Sequence, residues 1–258
     1  MQHKPRKRFG QNFLHDQFVI SKIVSAVKPT SNDHFIEIGP GLGAITASVL
    51  SVAKRLDAVE IDQNLIPVLA DKFANYKNFQ LHQSDILKFD VSALASDKNS
   101  LRCIGNLPYN ISTPLLFKLL EDIDLIHDMH FMLQKEVAQR ITAQPNSKQY
   151  GRLSIMMQYH CDTDYLFEVP PESFDPQPKV YSAIIKLTPR KQKSVIAKDL
   201  NCLQTVLTAA FNQRRKTIYN SLKKLLDKDD FCKLNIDPQL RAEQISVEEF
   251  VKISNYIQ

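Results

Sequence analysis

Apolar and polar positions alternate along this chain in two rhythms. Short apolar runs read as buried strands: Phe35–Ile38, Ala58–Ile61, Phe79–Gln83, Leu101–Ile104 and Met129–Leu133. Between them lie stretches whose apolar residues recur every three or four positions, the spacing of one helix face. That spacing predicts helices over Ala44–Leu50, Gln63–Ala74, Thr113–Leu120, Lys135–Thr142 and Leu153–His160. An earlier helix is capped by Asp16 and runs to about Val27, with Phe18, Ile20, Ile23, Val24 and Val27 as its apolar positions and Pro29 as its stop. Strands alternating with helices specify an α/β sheet. Asp164–Val169 and Val180–Leu187 are two further strands with no helix between them, so an antiparallel hairpin is expected. Their connection, Pro170 to Pro178, is stiff with proline and carries Phe174, an aromatic expected to be exposed and free to stack, although plugging its own hairpin is an equally simple use.

The rhythm changes near Pro189, beyond which only helices and turns are legible. Leu200, Leu203, Val206, Leu207, Ala210 and Phe211 form one apolar face, and Ile218, Leu222, Leu225 and Leu226 another. Ser246 with Glu249 makes a capping box ahead of Phe250 and Val251. The expected organisation is an α/β domain over 1–189 and a small all-helical domain over 190–258.

Polar chemistry gathers at strand ends. Gly39-Pro40-Gly41-Leu42-Gly43 follows the first strand and precedes a helix, so backbone can approach a ligand closely. Its glycine spacing is not the dinucleotide fingerprint, which argues for a nucleoside without phosphates; a tight strand-to-helix turn explains the same glycines. Glu60 ends the second strand, 21 residues beyond Gly39. A Rossmann-type acid that bonds ribose hydroxyls lies about 20 residues on. Asp85 ends the third strand, where it could accept from an adenine amine or cap a helix. Asn106 ends the fourth. An open α/β sheet binds its ligands at this edge.

The turn Gly105-Asn106-Leu107-Pro108-Tyr109 suits methylation of an amine conjugated to a ring. Such a nitrogen is a poor nucleophile until acceptors on its N–H groups hold it pyramidal. Asn106 offers a side-chain carbonyl. Leu107 precedes proline and is biased to extended backbone, which can turn its own carbonyl to the site. Tyr109 offers a flat face, and its π cloud favours the charge that builds on the attacking nitrogen. A polar turn with Tyr109 in the core reads the same residues.

Composition narrows the class. The chain has 258 residues and a net charge of +5. Residues 1–30 carry six Lys/Arg against one Asp, and residues 190–258 thirteen against eight Asp/Glu, while the middle is acidic. Basic ends around an acidic body suit a polyanion, although solvated helix faces give the same count. Candidate phosphate contacts are Arg6, Lys7 and Arg8 near the start and Arg214, Arg215 and Lys216 in the tail. Cys103, Cys161, Cys202 and Cys232 match no metal or redox spacing and read as reduced thiols of a cytoplasmic protein. His127 and His130 lack partners by spacing, so no metal is expected. No apolar run has the length of a signal peptide or a membrane span.

Phe9-Gly10-Gln11-Asn12-Phe13-Leu14, Glu37-Ile38-Gly39-Pro40-Gly41-Leu42-Gly43, Glu60-Ile61-Asp62, Asn106-Leu107-Pro108-Tyr109 and Phe211-Asn212-Gln213-Arg214-Arg215-Lys216 occur in that order. With them the chain resembles the ribosomal RNA adenine dimethyltransferases, and among these the bacterial small-subunit branch. The resemblance implies a Rossmann-like fold, S-adenosylmethionine as donor, and two adjacent adenosines in the 3′-terminal hairpin of 16S rRNA as acceptors. It implies a partner in the 30S subunit or its precursor. With no membrane-length run, no membrane partner is expected, and with no apolar stripe that demands a dimer, a monomer is expected. The resemblance places Asn12 and Leu14 over the cofactor, Gly39 along its methionine part, Glu60 at the ribose and Asp85 at the adenine, with Gly41, Ile61 and Ile86 also binding the cofactor. Asn106 would touch cofactor and target amine, with Leu107 and Pro108 beside it; Tyr109 and Phe174 would stack on an extruded target base. Three other readings use the same features: a relative that methylates large-subunit rRNA, an assembly factor whose binding is the main role, and a methylase of DNA adenine or protein glutamine.

Overall fold

A computed structural model describes residues 11–258. The chain forms two compact units. One comprises the stretch ending at Ala138 together with Asp164–Pro189; the other comprises Gln139–Thr163 and Arg190–Gln258.

In the first unit the strands are β1 (Phe13–Leu14), β2 (His34–Ile38), β3 (Arg55–Glu60), β4 (Phe79–Gln83), β5 (Leu101–Asn106), β6 (Ile126–Gln134), β7 (Cys161–Val169), β8 (Phe174–Asp175) and β9 (Ser182–Pro189). Its helices are α1 (Gln17–Val27), α2 (Thr46–Leu50), α3 (Ile66–Lys72) and α4 (Ser112–Glu121); α5 (Lys135–Thr142) starts at the end of β6 and its residues from Gln139 belong to the second unit. Seven strands make one sheet in the order β4-β3-β2-β5-β6-β9-β7. The first five are parallel and β9 runs antiparallel to β6. The central strands are apolar nearly throughout because both faces are covered: Phe35, Ile36, Leu56, Ala58, Leu101, Cys103 and Phe131 are fully buried. The two-residue strands β1 and β8 pair apart from the main sheet, Leu14 opposite Phe174.

Asp16 caps α1 as its position predicts, accepting from the Phe18 and Val19 amides at 2.9 and 3.3 Å. The helix does not bury Phe18, which is 77% exposed; Val19 takes its place in the core. The buried face therefore starts one residue later than the spacing suggested.

The sheet is pinned by two buried ionic knots away from the strand ends that carry the site residues. Asp57 on β3 accepts from Arg55 and meets His34 and His82 from β2 and β4 at 2.6 and 2.7 Å. These partners hold its carboxyl well below the usual range despite full burial. Arg102 on β5 is the second knot. Its guanidinium grips both oxygens of Asp128 on β6 at 2.8 Å, reaches Asp33 at 2.8 Å, and donates to the Val27 carbonyl at the end of α1 at 2.7 Å.

The second unit holds α6 (Arg152–His160), α7 (Leu200–Phe211), α8 (Ile218–Leu222), α9 (Lys228–Lys233) and α10 (Val247–Ile257). Ser246 and Glu249 form the expected capping box: the Ser246 hydroxyl accepts from the Glu249 amide at 3.2 Å and the Ser246 amide donates back to Glu249 at 2.7 Å. The division falls at 189/190 as the sequence suggested, but residues 139–163 join the second unit instead of the first. Residues 139–163 pack with the C-terminal helices, Tyr150 lying edge-on to Phe211 at 6.5 Å. Their helical spacing matched the preceding α/β alternation, and nothing local marks which core they join.

Replacing Arg102 by Met strands the buried Asp128 carboxylate. Chemical denaturation should show a loss of roughly 3–5 kcal/mol, and a loss below 1 kcal/mol would show that the knot does not hold the sheet.

Candidate functional site

Four loops leaving the C-terminal edge of the parallel strands, with the segment Gln11–Leu14, enclose a cavity of about 210 Å³. The loop after β2 is the glycine turn. Gly39, Gly41 and Gly43 have φ of +63°, +59° and +73°, conformations open to glycine but costly for other residues. Gly41 meets the ring of Phe13, which lies 3.0 Å from where a Cβ would stand. Lys72, at the end of α3, reaches back to donate to the Leu42 carbonyl at 2.7 Å and the Gly43 carbonyl at 3.4 Å. The turn is thus clamped from behind with Gly39 and Gly41 facing the cavity.

Glu60 ends β3 with both oxygens occupied: the Asp62 amide donates to one at 2.8 Å and the Gly41 amide to the other at 3.4 Å. Burial raises its pKa against these bonds. Ile61 beside it is 47% exposed and lines the wall. Asp85 follows β4 and uses one oxygen to accept from the Leu87 amide at 3.0 Å; this closes a turn, not a helix cap, and its second oxygen stays available. Ile86 is buried behind it.

Asn106 ends β5. Its amide nitrogen donates to the Asn12 carbonyl at 3.1 Å. That bond spends the donor half of the side chain and leaves its carbonyl as the acceptor toward the cavity. The Leu107 amide is tied to the Met132 carbonyl at 3.0 Å, and the Pro108 carbonyl takes the Ile111 and Ser112 amides at 3.1 Å. The Leu107 carbonyl takes no such bond among the described residues. Tyr109 is fixed at its hydroxyl, 3.1 Å from the Ser182 hydroxyl of β9.

Asn12, Leu14, Gly39, Gly41, Glu60, Ile61, Asp85, Ile86, Asn106, Leu107, Pro108 and Tyr109, each named from the sequence, line this one cavity. Phe174 does not. It is 4% exposed, paired through β8 with Leu14 and packed in the core cluster, because its ring is the apolar cover for that pairing. The expectation of an exposed, stacking Phe174 is corrected accordingly. In the tail, Arg214 is engaged by the Lys148 carbonyl and by Glu243 at 3.7 Å, while Arg215 and Lys216 are exposed. Arg6, Lys7 and Arg8 lie outside the described residues.

Sequence reading missed Glu37. It is 2% exposed, lines the cavity floor, and its Oε2 makes no well-formed hydrogen bond, although the Thr46 hydroxyl stands close enough to favour its ionised form. Burial, with Glu60 nearby, pushes its pKa up to about 7. An acid among Phe35, Ile36 and Ile38, directly before the glycine turn, was the available signal.

This donor set fits S-adenosylmethionine. A buried carboxyl with one oxygen lacking a well-formed bond suits a cationic group, a carboxylate at the end of β3 suits ribose hydroxyls, and Asp85 suits an exocyclic amine. The open glycine turn admits the ligand without a Cβ in the way. Among the described residues no group of three or more His, Cys, Asp or Glu is placed to hold a metal, and no helix is long and apolar enough to cross a membrane.

Residues 2–258 match the family model for ribosomal RNA adenine dimethylase. A protein named Ribosomal RNA small subunit methyltransferase A from Marinomonas sp. (strain MWYL1) is 50% identical over 255 residues, 99% of this chain and 96% of that protein. One of the same name from Coxiella burnetii (strain CbuG_Q212) is 54% identical over 252 residues, covering 98% of this chain and 97% of its own. Among solved structures, a dimethyladenosine transferase from Plasmodium falciparum superposes with a TM-score of 0.81 at 26% identity, over 93% of this chain and 95% of that one. The 23S rRNA methyltransferase ErmE shares the fold, with a TM-score of 0.76 at 21% identity over 95% and 99%.

Glu37 makes the ligand-free protein sensitive to pH. From its ordinary value of 4.5 up to about 7 the folded carboxyl keeps a proton that the unfolded chain has lost. Stability therefore falls as pH rises through that window and stays lower above it. Glu37→Gln should remove the slope and raise the stability of the ligand-free protein at pH 8 by about 3 kcal/mol, with the two proteins converging below pH 4.5. Thermal melts across pH check this; parallel curves at all pH values would refute it.

Proposed function

Because the chain belongs to the ribosomal RNA adenine dimethylase family, we propose that its acceptors are two adjacent adenosines in the 3′-terminal hairpin of 16S rRNA, methylated twice each on the assembling 30S subunit in the cytoplasm. The methyl donor is S-adenosylmethionine, which when bound supplies an electrophilic methyl group. The small-subunit assignment is supported by the full-length relatives at 50–54% identity that carry a small-subunit name.

The observation that carries the mechanism is the orientation of Asn106, whose amide nitrogen is held by the Asn12 carbonyl. Its carbonyl and that of Leu107 accept the two N–H groups of the adenine amine and hold the nitrogen lone pair toward the donor. Such fixed acceptors cost no reorganisation as positive charge builds on the nitrogen. Tyr109, anchored through Ser182, presents its ring to the extruded base. The methylated amine is a strong acid and releases its proton without a dedicated base. The segment from Gln11 to Leu14 closes over the donor, with Gln11 donating to Asp62 at 2.9 Å. Glu60 and Ile61 hold the ribose, Asp85 and Ile86 the adenine, and Gly39 and Gly41 the methionine chain, with Glu37 beneath them. Phe174 supports Leu14 from behind. The protein acts as a monomer, and Arg215 and Lys216, with Arg6, Lys7 and Arg8, contact phosphates.

Two measurements test this reading. Small subunits lacking the modification should accept labelled methyl groups at both adenosines, whereas large subunits and duplex DNA should not. Asn106→Ala should lower the rate by roughly a hundredfold or more with an unchanged melting temperature; full activity in that variant would sink the mechanism. Separately, Arg215→Ala combined with Lys216→Ala should weaken RNA binding and flatten its dependence on salt by one to two counterions. An unaltered salt slope would remove these residues from the phosphate contacts.

A further inference from the structure

The aromatic that the proline-rich connection exposes is Tyr181, not Phe174. Lys179, Val180 and Tyr181 are three exposed residues in a row, with Val180 at 43% and Tyr181 at 48%, and the run ends at the fully buried Ser182. Tyr181 is exposed and yet held. The Lys135 amide donates to its carbonyl at 2.9 Å. The Lys135 ammonium sits 5.6 Å from the centre of its ring and is itself fixed by Glu168 at 2.8 Å. A ring already ordered in this way loses little further freedom when something covers it.

Its place in the fold connects it to the site. Ser182 pairs with Gln134 at the strand edge that carries the cavity loops, and the Ser182 hydroxyl is the partner of Tyr109. Tyr181 is therefore one residue from the group that anchors Tyr109, at the same end of the sheet. Glu168 neutralises Lys135, so this spot offers a flat face more than a charge, with Lys179 exposed two residues away.

We propose that Tyr181 is a stacking platform for the base of a nucleotide adjoining the target adenosine, as the RNA bends over the rim between the two tyrosines. This rests on the reading that the cavity methylates an RNA adenine. Stacking suits the task because every base presents a π face, so the contact orders a single strand without demanding a sequence. Extrusion of the target breaks its stack with that neighbour, and Tyr181 supplies a replacement surface.

The test compares wild type with Tyr181→Ala, Tyr181→Leu and Tyr181→Phe. It measures KM for unmodified small subunits, KM for S-adenosylmethionine, and the direct affinity for a single-stranded oligoribonucleotide containing the two adenosines. The Ala and Leu variants should raise the acceptor KM and the oligoribonucleotide Kd by about tenfold, leave the S-adenosylmethionine KM unchanged, and melt as wild type does. The Phe variant should match wild type. Equal RNA affinity in wild type and Tyr181→Ala, or a Leu variant that binds as well as Phe, would overturn the platform. Wild-type protein that transfers no methyl to small subunits would instead overturn the functional reading, and the oligoribonucleotide affinities would still decide the role of Tyr181.

Discussion

Between Gly105 and Ile38 there is no room for a side chain: a Cβ on Gly105 would lie 2.5 Å from the Ile38 carbonyl oxygen. That closeness draws the ends of β5 and β2 together at the edge from which both functional loops leave. The glycine turn departs one residue after Ile38, and the Asn-Leu-Pro-Tyr turn one residue after Gly105. A side chain here would force the backbones apart, and the acceptor pair would separate from the turn that seats the donor. The rest of the site is arranged around this contact. Asn12 crosses above it to hold Asn106, and Lys72 braces the glycine turn from behind.

The cavity gathers carboxyl groups in a place where ionisation is costly. Glu37 and Glu60 are both nearly inaccessible and both have raised pKa values, with burial as the leading cause. Glu60 is compensated by two backbone amides, whereas Glu37 has an oxygen without a well-formed bond. A group left in that condition costs stability, and such costs concentrate where a ligand completes the bonding. A cationic donor would relieve it. Asp57 in the same sheet shows the contrast: it is as buried as Glu37, but His34, Arg55 and His82 saturate it and keep it ionised. Equal burial yields a rivet in one place and a receptive site in the other.

The cations of the tail divide in a similar way. Arg214, Arg215 and Lys216 read as one basic run, but Arg214 is spent on Lys148 and Glu243 inside the helical unit. Its side chain is nonetheless exposed, as are those of Arg215 and Lys216, so all three present charge outward. Alanine at Arg214 would accordingly disturb packing as well as binding, which makes Arg215 and Lys216 the cleaner probes of RNA contact.

The sequence by itself determined the strand and helix periods, the cap at Asp16, the capping box at Ser246, and the polar residue at the end of each successive parallel strand. These are local properties: a period of two or 3.6 residues and a cap are written within one turn or one strand. Since parallel strands all end at one edge, the cavity lining followed from them. The tertiary structure decided what depends on distant partners. It joined residues 139–163 to the C-terminal helices, because helical spacing does not say which core a face will meet. It left Phe18 in solvent, buried Phe174 against Leu14 and exposed Tyr181, since exposure depends on which element arrives to cover a ring. It left one oxygen of Glu37 without a well-formed bond, and a missing hydrogen bond can be seen only when all the neighbours are in place.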